Sequence, residues 1–449
     1  MNTSTQKLFD QDRAGETPDT WKFVLASDYC KRVTDGTHDS PKQQSDGNYL
    51  VTSRHITGGG IDLSKAYNIS KSDFQEINRR SGVDQWDILF SMIGTVGEAV
   101  LVKNPKVDFA IKNIGLFKNK SEIEAKWLYY YLKSPLAVHY IKSHSSGSTQ
   151  QYLTLDSLRK FPVLVVSKEE ESKILSILSS LDDKIELNRK MNKTLEEIGK
   201  ALFKRWFVDF EFPFDFAQGK PNFDGKPLPA EVLTKAGYKS SGGKMVDSEL
   251  GEIPKDWTVL PIEDVVTIKG GTTPSTSNPD YWTNGKINWA TPKDLSVLQS
   301  SILLDTERQI TEKGLERIGS GLLPMNSILL SSRAPIGYLA ITNIPVAVNQ
   351  GFIGIVCNKG ISSYYLYFWL KFNMNLIKNM ANGSTFLEIS KSSFKQILFV
   401  KPSAQVLKRF EQVTASFFSN IVKNELELNT LTKIRDSLLP RLMSGKLRV

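Results

Sequence analysis

The 449-residue sequence predicts an α+β protein: two pseudo-repeated mixed α/β domains joined by two long helices that pair as an antiparallel coiled coil. Three observations predict it. The stretch Lys168–Phe207 lacks Pro, is rich in helix formers, and places Ile174, Ile177, Leu181, Ile185, Leu195, Ile198, Leu202 and Trp206 at steps that fit one stripe of a helix. The same stripe returns at Phe410, Val413, Phe417, Ile421, Leu431, Ile434, Leu438 and Leu442, every member 236 residues on. Short strand-like runs divided by turn residues precede each helix in the same order. A lone amphipathic helix leaves its apolar stripe in water, whereas two matched helices bury each other's.

In chain order, residues 1–167 form the first domain. Residues 1–18 are a polar lead-in. Asp35-Gly36 and Asp46-Gly47 are turn signals, Tyr49–Thr52 is a strand, and Trp86–Met92 and Glu98–Val102 are strands around a Gly94–Gly97 loop. Ala125–His144 carries Trp127, Leu128, Tyr131, Leu132, Leu136 and Tyr140 on one helical face, and Phe161–Val166 is the last strand. The first spacer helix spans 168–207. Residues 208–250 are a joint dense in Pro, Gly and aromatics, too aromatic to be a free linker and expected to lie against the body. The second domain, 251–403, repeats the first: Trp257 answers Trp21, Ser327–Ile341 answers Asp87–Leu101, Val346–Asn349 answers Ala110–Asn113, and Gly383-Ser384-Thr385 answers Gly147-Ser148-Thr149. The second helix and a tail fill 404–449.

Composition narrows the function. The formal charge is +9 and the pI about 9.1, which suits an acidic partner such as nucleic acid, although the surplus is spread over both halves. Two cysteines in different halves, Cys30 and Cys357, indicate neither a disulfide framework nor a zinc site, and a reducing cytoplasm is expected. The N-terminus has no apolar signal core, and Ala334–Asn358 is broken by Pro and Gly into strands and turns rather than a membrane span. No GxxxxGK[ST] loop exists. Asn278-Pro279-Asp280-Tyr281 is one proline short of the NPPY loop of amino-methyltransferases and has no glycine-rich cofactor loop beside it, so it reads as a turn. His38, His55, His139 and His144 have no metal-ligand spacing. Nothing marks a catalytic residue or a metal site.

TDGTHDSP (Thr34–Pro41), GNYLVTSRHITGGGIDL (Gly47–Leu63), GGTTPSTSNPDYWTNGKINWATPKDL (Gly270–Leu295), LDDKIELNRKMNKTLEEIGKALFKRWFVDF (Leu181–Phe210) and SLLPRLMSGKLRV (Ser437–Val449) are shared traits of one family. By them, and over nearly its whole length, the chain resembles the DNA-specificity subunit of type I restriction-modification systems. The resemblance implies two target recognition domains reading a bipartite, asymmetric duplex site. It also implies two methyltransferase subunits docked along helices and domains, and two restriction-translocase subunits outside them. S-adenosylmethionine, ATP and Mg²⁺ would serve those partners, with none in this chain. The alternatives are an orphan specificity subunit or scaffold without a restriction partner, and a self-contained nuclease or methyltransferase.

Antiparallel helices would act as a ruler. From position 174 to 202 a helix spans about 42 Å at ~1.5 Å per residue, roughly one turn of duplex. Asn188 and Asn424 interrupt both stripes near their midpoints. Either they pair to fix register or both face solvent. The remaining interface positions are the stripe residues above through Leu202 and Leu438. Phe203, Trp206 and Phe207 exceed what a two-helix seam buries, so they dock a partner or pack on the aromatic joint.

Base reading needs polar side chains on loops, and phosphate contact needs Lys, Arg or backbone N–H groups. The candidates in the first domain are Lys31, Thr37, His38, Ser53, Arg54, His55, Arg79, Arg80, Lys112, Gln150 and Gln151. In the second they are Thr272, Thr273, Ser275, Thr291, Lys293, Ser332, Arg333, Asn349 and Gln350. Arg333, on a turn between apolar strands, reaches either DNA or a neighbouring acid. Trp282 and Trp289 are expected in the core.

Overall fold

The computed structural model describes residues 18, 20–147, 151–214, 237–333, 335–382 and 387–449. The chain divides into two compact units, one running to Ile185 and including Thr430–Val449, the other Glu186–Asn429.

In the first unit, Asn48–Val51 lies antiparallel to Tyr67–Ile69 and parallel to Phe109–Ile111. A second sheet runs in the order Arg32–Asp35, Ile114–Lys118, Ile88–Ser91, Ala99–Leu101. Lys22–Leu25 and Pro162–Val165 form a separate antiparallel ribbon. Ile88–Ser91 is buried throughout: Ile88 and Phe90 join one core with Trp127 and Leu128, while Leu89 joins another with Val100 and Ile111. Buried on both faces, the strand reads as a continuous apolar run rather than an alternating one.

The second unit repeats this plan. Ile287–Ala290 lies antiparallel to Arg308–Ile310 and parallel to Ala347–Val348. The larger sheet runs Thr267–Lys269, Phe352–Val356, Ile328–Ser331, Leu339–Thr342, Ile302–Leu303. Thr258–Pro261 and Leu398–Lys401 form the ribbon. In both units the chain steps from the small sheet to the large one across a two- or three-residue turn, Lys112-Asn113 in one and Asn349-Gln350-Gly351 in the other. The single helix expected over 125–144 is two, Glu122–Leu132 and Pro135–His144. Ser134 caps the second through its hydroxyl, and Pro135 takes the first helical position, where no N–H is needed.

The long helices are Lys168–Phe203 and Ala404–Met443. They run antiparallel. In the first unit Asp182 meets Arg435 at 2.9 Å. In the second, Asn188 donates to Glu427 at 2.8 Å and Asn192 to Glu425 at 2.7 Å. The faces that pair differ from the apolar stripes. Ile198 and Ile434 are 45% and 42% exposed, and Val413, Phe417 and Leu438 are only half-buried, whereas Asn192, Thr414, Phe418 and Leu439 are buried. The seam follows a heptad phase and accepts polar residues that bond locally or across it, while the buried Asn188 Oδ1 meets no donor. Thr414 donates back to the Phe410 carbonyl at 2.8 Å. Leu181, Leu195 and Leu431 are half-buried, and Ile174, Ile185, Leu202, Phe410, Ile421 and Leu442 are buried. Asn188 and Asn424 are both inside, but Asn424 donates to Asn192 at 2.8 Å, not to Asn188. Gly199 explains itself by packing: a Cβ there would sit 2.2 Å from the Phe368 ring.

Phe203, Trp206 and Phe207 are buried in the second unit's own core, with Phe207 at 4.6 Å from Tyr365 and 4.9 Å from Phe410. Phe207 also lies 5.8 Å from Trp257, which stacks on Phe212 of the joint. Of the two alternatives for these aromatics, packing on the joint is the one observed. The partner surface expected there is corrected accordingly, because these side chains have no free face to offer.

Candidate nucleic-acid interface

The first unit gathers its polar candidates around the Lys112-Asn113 turn. Asn113 adopts a positive φ of 52°, a conformation that Asn tolerates better than most residues. This turns its amide toward His38, whose Nδ1 lies 2.8 Å from Asn113 Oδ1. The other ring nitrogen of His38 sits 3.0 Å from Asp35. Asp35 is 4% exposed and also holds the Arg80 guanidinium. Thr37 pairs with Lys112 across an isolated parallel bridge, Lys112 Nζ reaches Ser40, and the Ser53 hydroxyl donates to the Asn113 carbonyl at 3.4 Å. Asp35, His38, Arg80, Ile93, Asn113 and Tyr152 thus line an open cleft of about 430 Å³.

Not every candidate belongs to this group. Lys31, Arg54, Arg79 and Gln151 are exposed, and Gln151 accepts from Gly94 N through its main chain at 3.1 Å. His55 is 3% exposed, and its Nδ1 accepts the Thr52 N–H at 2.9 Å. Burial holds its pKa below the usual imidazole value, so it is a neutral piece of the turn rather than a cation for phosphate. Gln150 lies outside the described residues, as do Ser148, Thr149 and Gly383-Ser384-Thr385.

In the second unit the loop after Thr267–Lys269 meets the Asn349–Gly351 turn. Thr272 N donates to Val348 O at 3.1 Å, and the Thr273 hydroxyl donates to Gln350 Oε1 at 2.7 Å. Asn349 Oδ1 accepts from Gly351 N at 2.9 Å, closing the turn on itself. The Trp289 indole N–H donates to Thr272 O at 3.2 Å, and the Trp282 indole N–H donates to Ser275 O at 3.0 Å, so two indoles tether the loop. Trp289 is buried, and Trp282 stands edge-on to it at 5.0 Å.

Other second-unit candidates have internal partners. Thr291 is locked in a capping box with Asp294. Lys293 pairs with Glu307 at 2.8 Å, and that hydrogen-bonded partner raises its pKa. Ser332 is buried and donates to Glu388 at 3.4 Å. Arg333 faces Glu388 at 3.6 Å, the neighbouring acid. Its counterpart in the first unit is apolar: Ile93 bridges Tyr152 where Arg333 bridges Glu388. Asn278–Tyr281 is a capped 3₁₀ turn, with Asn278 Oδ1 accepting from Asp280 N at 3.0 Å.

Two features escaped the sequence reading. The sequence signal for Asp35 is an Asp-Gly turn, which gives no hint that the carboxylate holds Arg80, 45 residues away. Arg308 looks like any strand Arg, yet its guanidinium lies 3.6 Å from the centre of the Trp282 ring and 5.3 Å from that of Trp289. No sequence signal gives that placement, because the three residues come from three segments.

The first site combines Arg80 and Lys112 with His38, Asn113 and the buried Asp35, and the second is the neutral-polar group Thr272, Thr273, Asn349 and Gln350. Among the described residues no group of three or more His, Cys, Asp or Glu could hold a metal, and no helix is long and apolar enough to cross a membrane. Burial raises the thiol of Cys30 and that of Cys357 to about 12, so neither is a thiolate nucleophile near neutrality.

The family model for the type I restriction modification DNA specificity domain matches residues 18–197 and again 254–436, and the chain belongs to that family. The specificity subunit of the HindI type I restriction enzyme of Haemophilus influenzae is 28% identical over 95% of this chain and 99% of its own length. That of MjaIX from Methanocaldococcus jannaschii is 38% identical over 41% of this chain and 43% of its own. A crystal structure of the type I restriction-modification S subunit from M. genitalium shares the fold, with a TM-score of 0.53 at 16% identity, covering 96% of this chain and 97% of that one. The chain is a type I specificity subunit, non-catalytic, with the enzyme chemistry in partner chains.

Proposed function

We propose that this chain reads a bipartite, asymmetric duplex DNA target, one half-site through each unit, with an unread spacer set by the long helices. It directs methylation by two methyltransferase subunits and ATP-dependent restriction by two restriction-translocase subunits, which use S-adenosylmethionine, ATP and Mg²⁺. One observation carries the reading. The same sheet-junction turn recurs in both units with different side chains: His38, Arg80, Lys112 and Asn113 in one, and Thr272, Thr273, Asn349 and Gln350 in the other. A repeated frame with unlike polar residues suits two half-sites of unlike sequence. The exposed cations Lys31, Arg54 and Arg79 serve as phosphate contacts. The first long helix runs unbroken over 36 residues, Lys168–Phe203, a length that suits a spacer. The test is coexpression with the partner methyltransferase chain, followed by sequencing of modified bases. A two-part motif with unequal halves is expected, and a continuous or absent motif refutes the proposal.

A further inference from the structure

Arg308 begins the edge strand Arg308–Ile310 and is exposed. Its strand partner in the antiparallel register is Trp289, so both side chains leave the same face of the small sheet. The guanidinium then lies over the face of Trp282, at 3.6 Å, with Trp289 beside it. Contact of this kind restricts the guanidinium to the indole face while its N–H groups stay available as donors.

The surroundings sharpen the point. Nearby lysines are neutralised: Lys293 by Glu307 and Lys313 by Asp280 at 3.1 Å. Arg308 forms no ion pair among the described residues, although Glu307 precedes it in sequence. The two indoles that hold Arg308 also hold the Thr272–Ser275 loop, through Trp289 to Thr272 and Trp282 to Ser275. Arg308 is therefore fixed beside the second unit's polar cluster, with its charge unspent.

A phosphate takes the fork of an arginine, but it is also served by a flexible ammonium. A guanine edge asks for two coplanar donors at a set angle, which a stacked guanidinium supplies in advance. We propose that Arg308, positioned by Trp282 and Trp289, donates two hydrogen bonds to the O6/N7 edge of one guanine in the half-site read by the second unit. This rests on the proposed reading of a bipartite duplex target.

The test uses the complete complex with its methyltransferase subunits, carrying wild-type chain, Arg308→Ala, Arg308→Lys or Arg308→Met. Modified bases are sequenced, and duplexes substituted one position at a time are titrated at several salt concentrations. The wild type is expected to discriminate at one G·C pair of one half-site by about 10- to 100-fold. Arg308→Ala and Arg308→Lys are expected to lose that discrimination and leave every other position unchanged. Lys keeps the charge without the planar fork, and Met keeps the apolar cover of Trp282, so a simple packing role separates from base reading. The inference is overturned if Arg308→Lys matches the wild type while Arg308→Ala weakens all sequences alike with a shallower salt dependence, which is a phosphate contact. An unchanged motif in all three variants overturns it too. If the wild-type complex yields no two-part motif, the functional reading itself falls; if that motif is present and the variants keep it, only the role of Arg308 falls.

Discussion

Replacing Asn192 with Ala tests the polar layer inside the helix pair. Asn192 is 2% exposed. It donates to Glu425 at 2.7 Å and accepts from Asn424 at 2.8 Å, both on the facing helix. Truncation removes both bonds, strands the amide of Asn424, which is 8% exposed, and leaves the partly buried Glu425 carboxylate with Ser300 but without Asn192. An unpaired buried donor costs about 1–3 kcal/mol, and an unpaired charged group lies at the upper end or beyond. After discounting Glu425 for its partial exposure and its remaining Ser300 bond, the expected loss is about 2–3 kcal/mol, a large share of the ~5–15 kcal/mol that holds a domain together. The double variant Asn192→Leu/Asn424→Leu removes both neutral partners at once and leaves Glu425 with Ser300, so it is expected to be more stable than Asn192→Ala. Urea unfolding gives the midpoints, and hydrogen exchange of residues 186–203 shows whether the loss is local.

The pH dependence adds an independent check. Burial raises the pKa of Glu425, while the Asn192 hydrogen bond opposes that rise. A carboxylate raised in the folded state adds stability below its unfolded value and loses it as pH climbs through the folded value. Without Asn192 the pKa rises further, so the variant's deficit shrinks on acidification from neutrality into the carboxylate range. A deficit that stays constant across that range would mean that Glu425 does not feel the loss. A loss below about 0.5 kcal/mol for Asn192→Ala, or a double variant less stable than the single, refutes the account.

Further expectations follow from other sites. Gly199→Ala should destabilise the second unit by about 1–3 kcal/mol despite better helix propensity, because its Cβ meets the Phe368 ring; an increase in Tm contradicts this. Trp206→Ala removes a fully buried side chain at 5.9 Å from Phe410, and denaturant titration should show a loss of about 3–5 kcal/mol. Lys118→Met strands the buried Asp87, 2.7 Å from Lys118 Nζ, at a cost of roughly 3 kcal/mol near neutrality. Burial already raises the Asp87 pKa, so by the same sign rule that variant should recover stability as pH falls, which thermal melts across pH would show. Insertion of residues into one long helix should lengthen the unread spacer in the modified-base motif, and an unchanged spacer counts against a ruler.

Much of the fold was legible because it rests on local patterns. The two long helices, the order of strands around Ile88–Ser91 and Ile328–Ser331, and the repetition of one half by the other follow from apolar period and turn residues, which act over a few positions. The motifs that carry the family resemblance are local too. What the tertiary structure decided were choices between nearly equal local options. An apolar stripe fixes a helix face only to within a residue or so, and packing against Phe368 and the facing helix turned Asn192 and Gly199 inward and Ile198 outward. Polar side chains choose partners by geometry across the fold. Asn424 took Asn192, Arg333 took Glu388, and Asp35 took Arg80 and His38, none of which sequence spacing encodes. The sequence alone determined that this is a duplicated, helix-spaced protein with polar sheet-junction loops. Only the tertiary structure decided which of those polar groups are spent on each other and which, like the stacked Arg308, remain free to meet a partner, because that depends on distances set by loops far apart in the chain.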